Sequence, residues 1–180
     1  MHITLNKDGF ASFYWDKNYE LSGADAYVAK VSGEDVVLTR INGNGIIPAR
    51  SAVVLYGAAG ATADATETLD AATGYDYENA LRGATTATTP AGNYYVLAEY
   101  EGETGFVKIS NHEVPAYRAY LPEPTAGAPA RLRVRFAPEV VTGIDNVNDN
   151  ANVNKYIRNG RVYIVRDNKV YTVTGQCVNL

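Results

Sequence analysis

From Ile3 to Phe136 the chain alternates short apolar runs with turn residues: ITL, FASFYW after Asp8-Gly9, AYVAKV, VVLTRI, SAVVLYG, NYYVLAEY, GFVKI, RAYL and RLRVRF. Short runs rich in Val, Ile, Tyr and Phe between turn signals predict strands, and nine of them is the count of a sandwich or barrel. The clearest is RLRVRF, where Leu132, Val134 and Phe136 fall on one face and Arg131, Arg133 and Arg135 on the other. Residues 36–55 (VVLTRINGNGIIPARSAVVL) return in altered form at residues 104–121 (TGFVKISNHEVPAYRAYL). Each copy runs apolar strand, Asn-bearing turn, Ile/Val-Pro-Ala, then a second apolar strand, which predicts a duplicated β-unit. Proline cannot donate to a ladder, so Pro48 and Pro115 are expected at the first residue of a strand or on an edge.

Between residues 58 and 91 the pattern stops in favour of Ala, Thr, Gly and Asp, with a helical turn suggested over Tyr75 to Arg82 and ended by Gly83. Long excursions of this kind are often functional, so a binding surface is expected there first. Residues 142–152 are rich in Asn and Asp and read as a linker between a domain at 1–141 and a β-meander at 153–180. Asn159-Gly160, Asp167-Asn168 and Thr174-Gly175-Gln176 supply the meander's turns. Both faces of its RVYIVR strand are apolar, so it is expected to dock on the first domain or on another chain.

The whole is expected to be all-β, a two-layer β-sandwich or flattened barrel with a small C-terminal meander. Composition agrees: Tyr supplies 14 aromatics against four Phe and one Trp, which favours pleated, half-exposed surfaces. The formal charge of -4 comes with no long basic run, which argues against nucleic-acid partners and membrane-surface binding. No apolar stretch reaches the roughly 20 residues of a membrane-spanning helix. MHITLNKDGF has no signal-peptide h-region, so a secreted form would have its signal upstream of Met1. The one cysteine, Cys177, allows no intramolecular disulfide and reads as a small strand hydrophobe.

The order Gly9-Phe-Ala-Ser-Phe-Tyr, Ile47-Pro48-Ala49, Val53-Val54-Leu55-Tyr56-Gly57, Asn79-Ala80-Leu81-Arg82-Gly83, Gly105-Phe106, Val114-Pro115-Ala116 and Arg118-Ala119-Tyr120-Leu121 resembles a β-rich module of secreted and surface proteins of Gram-negative gut bacteria. In those proteins it stands toward the C-terminus, beside leucine-rich-repeat or polysaccharide-degrading domains. The tail from Asn159 to Gln176 is similar to a truncated type IX secretion segment. The resemblance implies an extracellular or outer-surface location, upstream domains of the same polypeptide as partners, and a sorting role for the tail. It implies no particular activity.

Catalytic signatures are absent from the sequence. His2 and His112 have no metal-ligand spacing, no G-x-S-x-G elbow occurs, and the glycines at 43–45 and 57–60 lack the Lys-Ser/Thr of a phosphate loop. Asp145 to Asn150 departs from a calcium loop at its third, sixth and twelfth positions. Glu99, Glu101 and Glu103 read as solvated hairpin charge rather than a glycosidase pair. The chain is therefore expected to be no enzyme, with no cofactor and no metal. Two features suggest a ligand. The Arg131, Arg133 and Arg135 ladder presents guanidinium forks suited to carboxylates or sulfated sugars, the competing reading being cross-strand pairing with acids. Tyr14, Tyr75 and Tyr77 offer flat faces for sugar stacking, while alternation places Phe13 and Trp15 together on the face opposite Tyr14. The leading expectation is a non-catalytic accessory or structural module; the alternative is a carbohydrate-binding or adhesin module that meets a glycan or surface protein.

Overall fold

The computed structural model describes residues 1–138 and, beyond them, the strands Asn154–Arg158, Arg161–Arg166, Lys169–Thr172 and Cys177–Val178. The linker at 142–152, the acidic stretch at 145–150 and the turns at 159–160, 167–168 and 174–176 lie outside the described residues. The chain divides into two units, Met1–Glu139 and Val140–Leu180.

All described elements are strands. The first unit contains β1 (His2–Thr4), β2 (Phe10–Tyr14), β3 (Tyr19–Ser22), β4 (Ala24–Ser32), β5 (Asp35–Arg40), β6 (Ile46–Ile47), β7 (Ala52–Gly57), β8 (Thr62–Glu67), β9 (Arg82–Ala84), β10 (Asn93–Tyr100), β11 (Glu103–Ser110), β12 (Arg118–Pro122) and β13 (Arg131–Phe136). Nine form one sheet, ordered β2-β7-β4-β5-β13-β11-β10-β12-β9, and four form a second, ordered β1-β8-β3-β6.

The order of the larger sheet displays the duplication. The hairpin of β4 and β5 carries β7 beside β4 and β2 beyond it. The hairpin of β10 and β11 carries β12 beside β10 and β9 beyond it. Between these sister units runs β13, antiparallel to β11 and parallel to β5. The sheet curls until its ends meet: the Tyr14 N–H donates to the Tyr117 carbonyl at 3.1 Å, and Arg118 Nη1 donates to the Ser12 carbonyl at 3.1 Å. At that seam the Tyr14 ring lies over Gly83, where any Cβ would stand 2.5 Å from the ring's own Cβ.

Hydrophobic alternation fills two cores. Inside the curled sheet, Tyr27, Val36, Leu38 and Val54 of the first sister unit pack with Leu81, Tyr95, Phe106 and Leu121 from the second half, and with Leu132 of β13. Outside it, Phe13, Ala26, Val53 and Leu55 pack under Ile3, Tyr19, Ile47, Ala63 and Ala65 of the smaller sheet. Strand β7 serves both: Ala52 and Val54 point inward, Val53 and Leu55 outward.

Three local expectations change. Pro48 and Pro115 are not strand residues. Each opens a four-residue turn, Ser51 N–H bonding the Pro48 carbonyl and Arg118 N–H bonding the Pro115 carbonyl, both at 3.3 Å. The third residues, Arg50 at φ 64° and Tyr117 at φ 61°, take the left-handed conformation of a type II turn in both copies. Second, the excursion contains β8, whose inward residues Ala63 and Ala65 are too small to register as a hydrophobic alternation yet are fully buried. Third, residues 75–82 form no helix, and Gly83 lies within β9. Asn79 holds this segment extended. Its Oδ1 accepts from the Ala29 and Leu81 amides, and its Nδ2 donates to the Ala52 carbonyl, so one side chain bridges β4 and β7 where they separate and seats Leu81 in the inner core.

Polar burial is uneven. Lys108 and Glu123 form a half-buried ion pair that exposed Asn93 joins, and the Lys108 ammonium holds the Glu123 carboxyl below its usual range. Tyr19, fully buried, has no partner for its hydroxyl, and burial pushes that phenol well above its usual value.

The second unit is a four-stranded antiparallel meander of β14 (Asn154–Arg158), β15 (Arg161–Arg166), β16 (Lys169–Thr172) and β17 (Cys177–Val178) in sequential order. Arg158 pairs with Arg161 and Arg166 with Lys169.

Replacing Asn79 with Ala strands three part-buried backbone groups and is expected to lower unfolding free energy by about 2–3 kcal/mol in urea titrations. Tyr19→Phe removes an unpartnered hydroxyl and is expected to raise it by about 1 kcal/mol.

Candidate functional site

Register gathers four aromatic rings at one end of the curled sheet. Phe10 opens β2 opposite Tyr56 of β7, and Phe136 closes β13 opposite Leu38 of β5. Ring centroids lie 4.7 Å apart for Phe10 and Tyr56, 4.8 Å for Tyr56 and Phe136, and 5.2 Å for Tyr27 and Phe136. Tyr56 and Phe136 remain 36% and 44% exposed, so this is the open, apolar mouth of the inner core.

The arginine ladder borders that mouth. Asp35, at the start of β5, receives Arg133 Nε at 2.9 Å on one carboxylate oxygen and Arg135 Nε at 2.7 Å on the other. Arg131 pairs with Glu103 at 3.1 Å and lies 5.9 Å from the Tyr100 ring centroid. A recess of about 330 Å³ runs between Phe10, Phe136 and the three arginines, with Glu103 and Thr104 on its wall. Alternation correctly separates Arg131, Arg133 and Arg135 from Leu132 and Val134. What the ladder faces first is acid from neighbouring strands, and exposed pairs of this kind contribute only about 0.2–1 kcal/mol each.

The three tyrosines are not gathered with it. Tyr14 packs against the inner core at the seam. Tyr75 and Tyr77, half-buried and edge-to-face with centroids 5.5 Å apart, stand in the excursion, where the Tyr77 hydroxyl accepts from the Asn42 N–H at 2.8 Å and donates to its carbonyl at 3.0 Å. Tyr77 fastens the excursion to the loop after β5. Phe13 and Trp15 lie against the outer core, on the face opposite Tyr14.

A second concavity, about 500 Å³, opens where the seam between β2 and the second sister unit is incomplete. Leu5, Val96, Ile109 and Pro115 make it apolar, with Asn6, Glu113 and Arg118 at polar positions. As site residues, neither these nor Phe10, Tyr56 and Phe136 are singled out by the sequence pattern. Phe136 alone carried a signal, as the last core-face residue of RLRVRF.

The glutamates around the β10-β11 hairpin share no common partner. Glu99 meets Lys7 at 3.3 Å and raises the Lys7 ammonium's pKa, Glu103 meets Arg131, and Glu101 sits at φ 53° in the two-residue turn with Gly102. Among the described residues no three His, Cys, Asp or Glu side chains converge as a metal set. His112 offers its backbone to the Tyr94 hydroxyl.

Asp35→Asn is expected to release both guanidiniums at a stability loss of about 1 kcal/mol. The variant's thermal midpoint should then rise with added sulfate at constant ionic strength, while that of the unaltered chain stays flat. No family model, curated protein or solved structure matches this chain.

Proposed function

We propose that this chain is a non-catalytic accessory module, carried toward the C-terminal end of a larger secreted or cell-surface polypeptide whose upstream domains are its partners. One observation carries the reading: the side chains best suited to ligand contact are engaged within the fold. Tyr77 is hydrogen-bonded to Asn42, Tyr14 packs over Gly83, and Arg133 and Arg135 share Asp35. The resemblance of the Pro-Ala and Asn-x-Leu-x-Gly elements to surface-protein modules supports the location.

A second reading, a carbohydrate-binding module, draws on the half-exposed Tyr56 and Phe136 beside the arginine recess. It uses the mouth rather than the Tyr75 and Tyr77 pair. A glycan array that includes sulfated and uronic-acid polysaccharides separates the two. The accessory reading expects no saturable binding, and a parent polypeptide whose secreted level drops when the module's inner core is disrupted at Phe106. Saturable binding that Phe136→Ala and Tyr56→Ala abolish, with the thermal midpoint retained, would replace it by the second reading.

A further inference from the structure

The two sister units are covered unequally on their outer faces. Over the first lies the sheet β1-β8-β3-β6, and that sheet ends at β1. Backbone pairing between β1 and β8 extends from the Ala65 N–H on the Met1 carbonyl at 2.8 Å to the Leu5 N–H on the Ala61 carbonyl at 2.9 Å. Residues 1, 3 and 5 therefore turn their amide groups toward β8, and antiparallel alternation turns those of His2 and Thr4 the other way. No described strand takes them.

Thr4 lines the 500 Å³ cleft, so the free edge of β1 is one of its lips. The other is β2, where the Phe10 and Tyr14 amides and the Ser12 carbonyl are bonded to Asn6, Tyr117 and Arg118, and the Ser12 N–H of the same row has no partner among the described residues. Val96 and Ile109, apolar and half-buried on the outer face of the second sister unit, stand between. On the rim Glu113 faces no cation among the described residues, while Arg118 is held by Ser12.

We propose that the cleft accepts an extended strand from another polypeptide. That strand pairs with the free edge of β1, sets alternate apolar side chains against Val96 and Ile109, and brings a Lys or Arg to Glu113. Strand addition satisfies the orphan backbone groups of an edge while pockets below read alternate side chains. It would continue the smaller sheet toward Val96 and Ile109, on a face that no described strand covers, as β8, β3 and β6 already do over the first unit. A second copy pairing through its own β1 does not fit. The apolar residue of β1, Ile3, is buried in its own core, and β1 has no lysine or arginine for Glu113.

The test uses the full chain and a fluorescein-labelled peptide of sequence Lys-Val-Thr-Val-Thr-Val, read by anisotropy. Saturable binding is expected. Thr4→Pro removes an outward donor without touching the β8 ladder, so it should keep the thermal midpoint and weaken binding about tenfold. Glu113→Gln should weaken the Lys peptide but leave a Gln-for-Lys peptide unchanged. Bound peptide should slow hydrogen exchange at the Thr4 and Ser12 amides, a readout that decides the matter even where Thr4→Pro unfolds. The proposal is overturned by no binding at millimolar peptide, by equal binding to both variants, by Thr4 protection without peptide, or by a dimer that Thr4→Pro dissolves.

Discussion

Everything in the first unit depends on β13 having two neighbours at once. Its antiparallel ladder with β11 and parallel ladder with β5 join sister units that otherwise meet in the inner core and at the seam. Leu132 enters the inner core from this strand, and Arg133 and Arg135 clasp Asp35 at the start of β5 from the opposite face. Apolar burial supplies most of the driving force and the charged clasp little, but the clasp selects the register. A one-residue slip would turn Leu132 outward and the arginines inward.

Closure at the far ends rests on finer fitting. Gly83 leaves room for the Tyr14 ring, and the left-handed Tyr117 presents its carbonyl to the Tyr14 amide. The same turn in the first copy places Arg50, whose amide bonds the Trp15 carbonyl at 2.7 Å. One turn, used twice, thus links each sister unit to the strand end it must meet. Since β12 begins only at Arg118, the seam stays open beside Phe10 to Ser12, and this shortfall makes the cleft.

Strands with large alternating side chains were legible: RLRVRF, AYVAKV and NYYVLAEY all form where their pattern places them. So was the repeat, because Pro-Ala and its flanking strands survive in both copies. β8 was not, since Ala63 and Ala65 bury little area each and depend on a second sheet to be core at all. Tyr75 to Arg82 read as helical because local spacing cannot show that Asn79 will find Ala29 and Ala52, 50 and 27 residues away. The arginine ladder was visible, whereas its acid partner was not, Asp35 lying 98 residues from Arg133. Tyr75 and Tyr77 were candidates for sugar stacking because nothing in the sequence announces Asn42 as the partner of the Tyr77 hydroxyl.

By itself the sequence determined what adjacent residues can settle: strand periodicity, hairpin turns, the doubled unit, and which face of each strand is apolar. Those are consequences of backbone geometry and side-chain alternation within a few residues. Only the tertiary structure decided which strands become neighbours, that Phe10, Tyr27, Tyr56 and Phe136 meet at one mouth, and that an edge and a cleft remain open beside β1. Such contacts form between segments far apart in the chain, and their geometry follows from how a curled sheet closes rather than from any local preference.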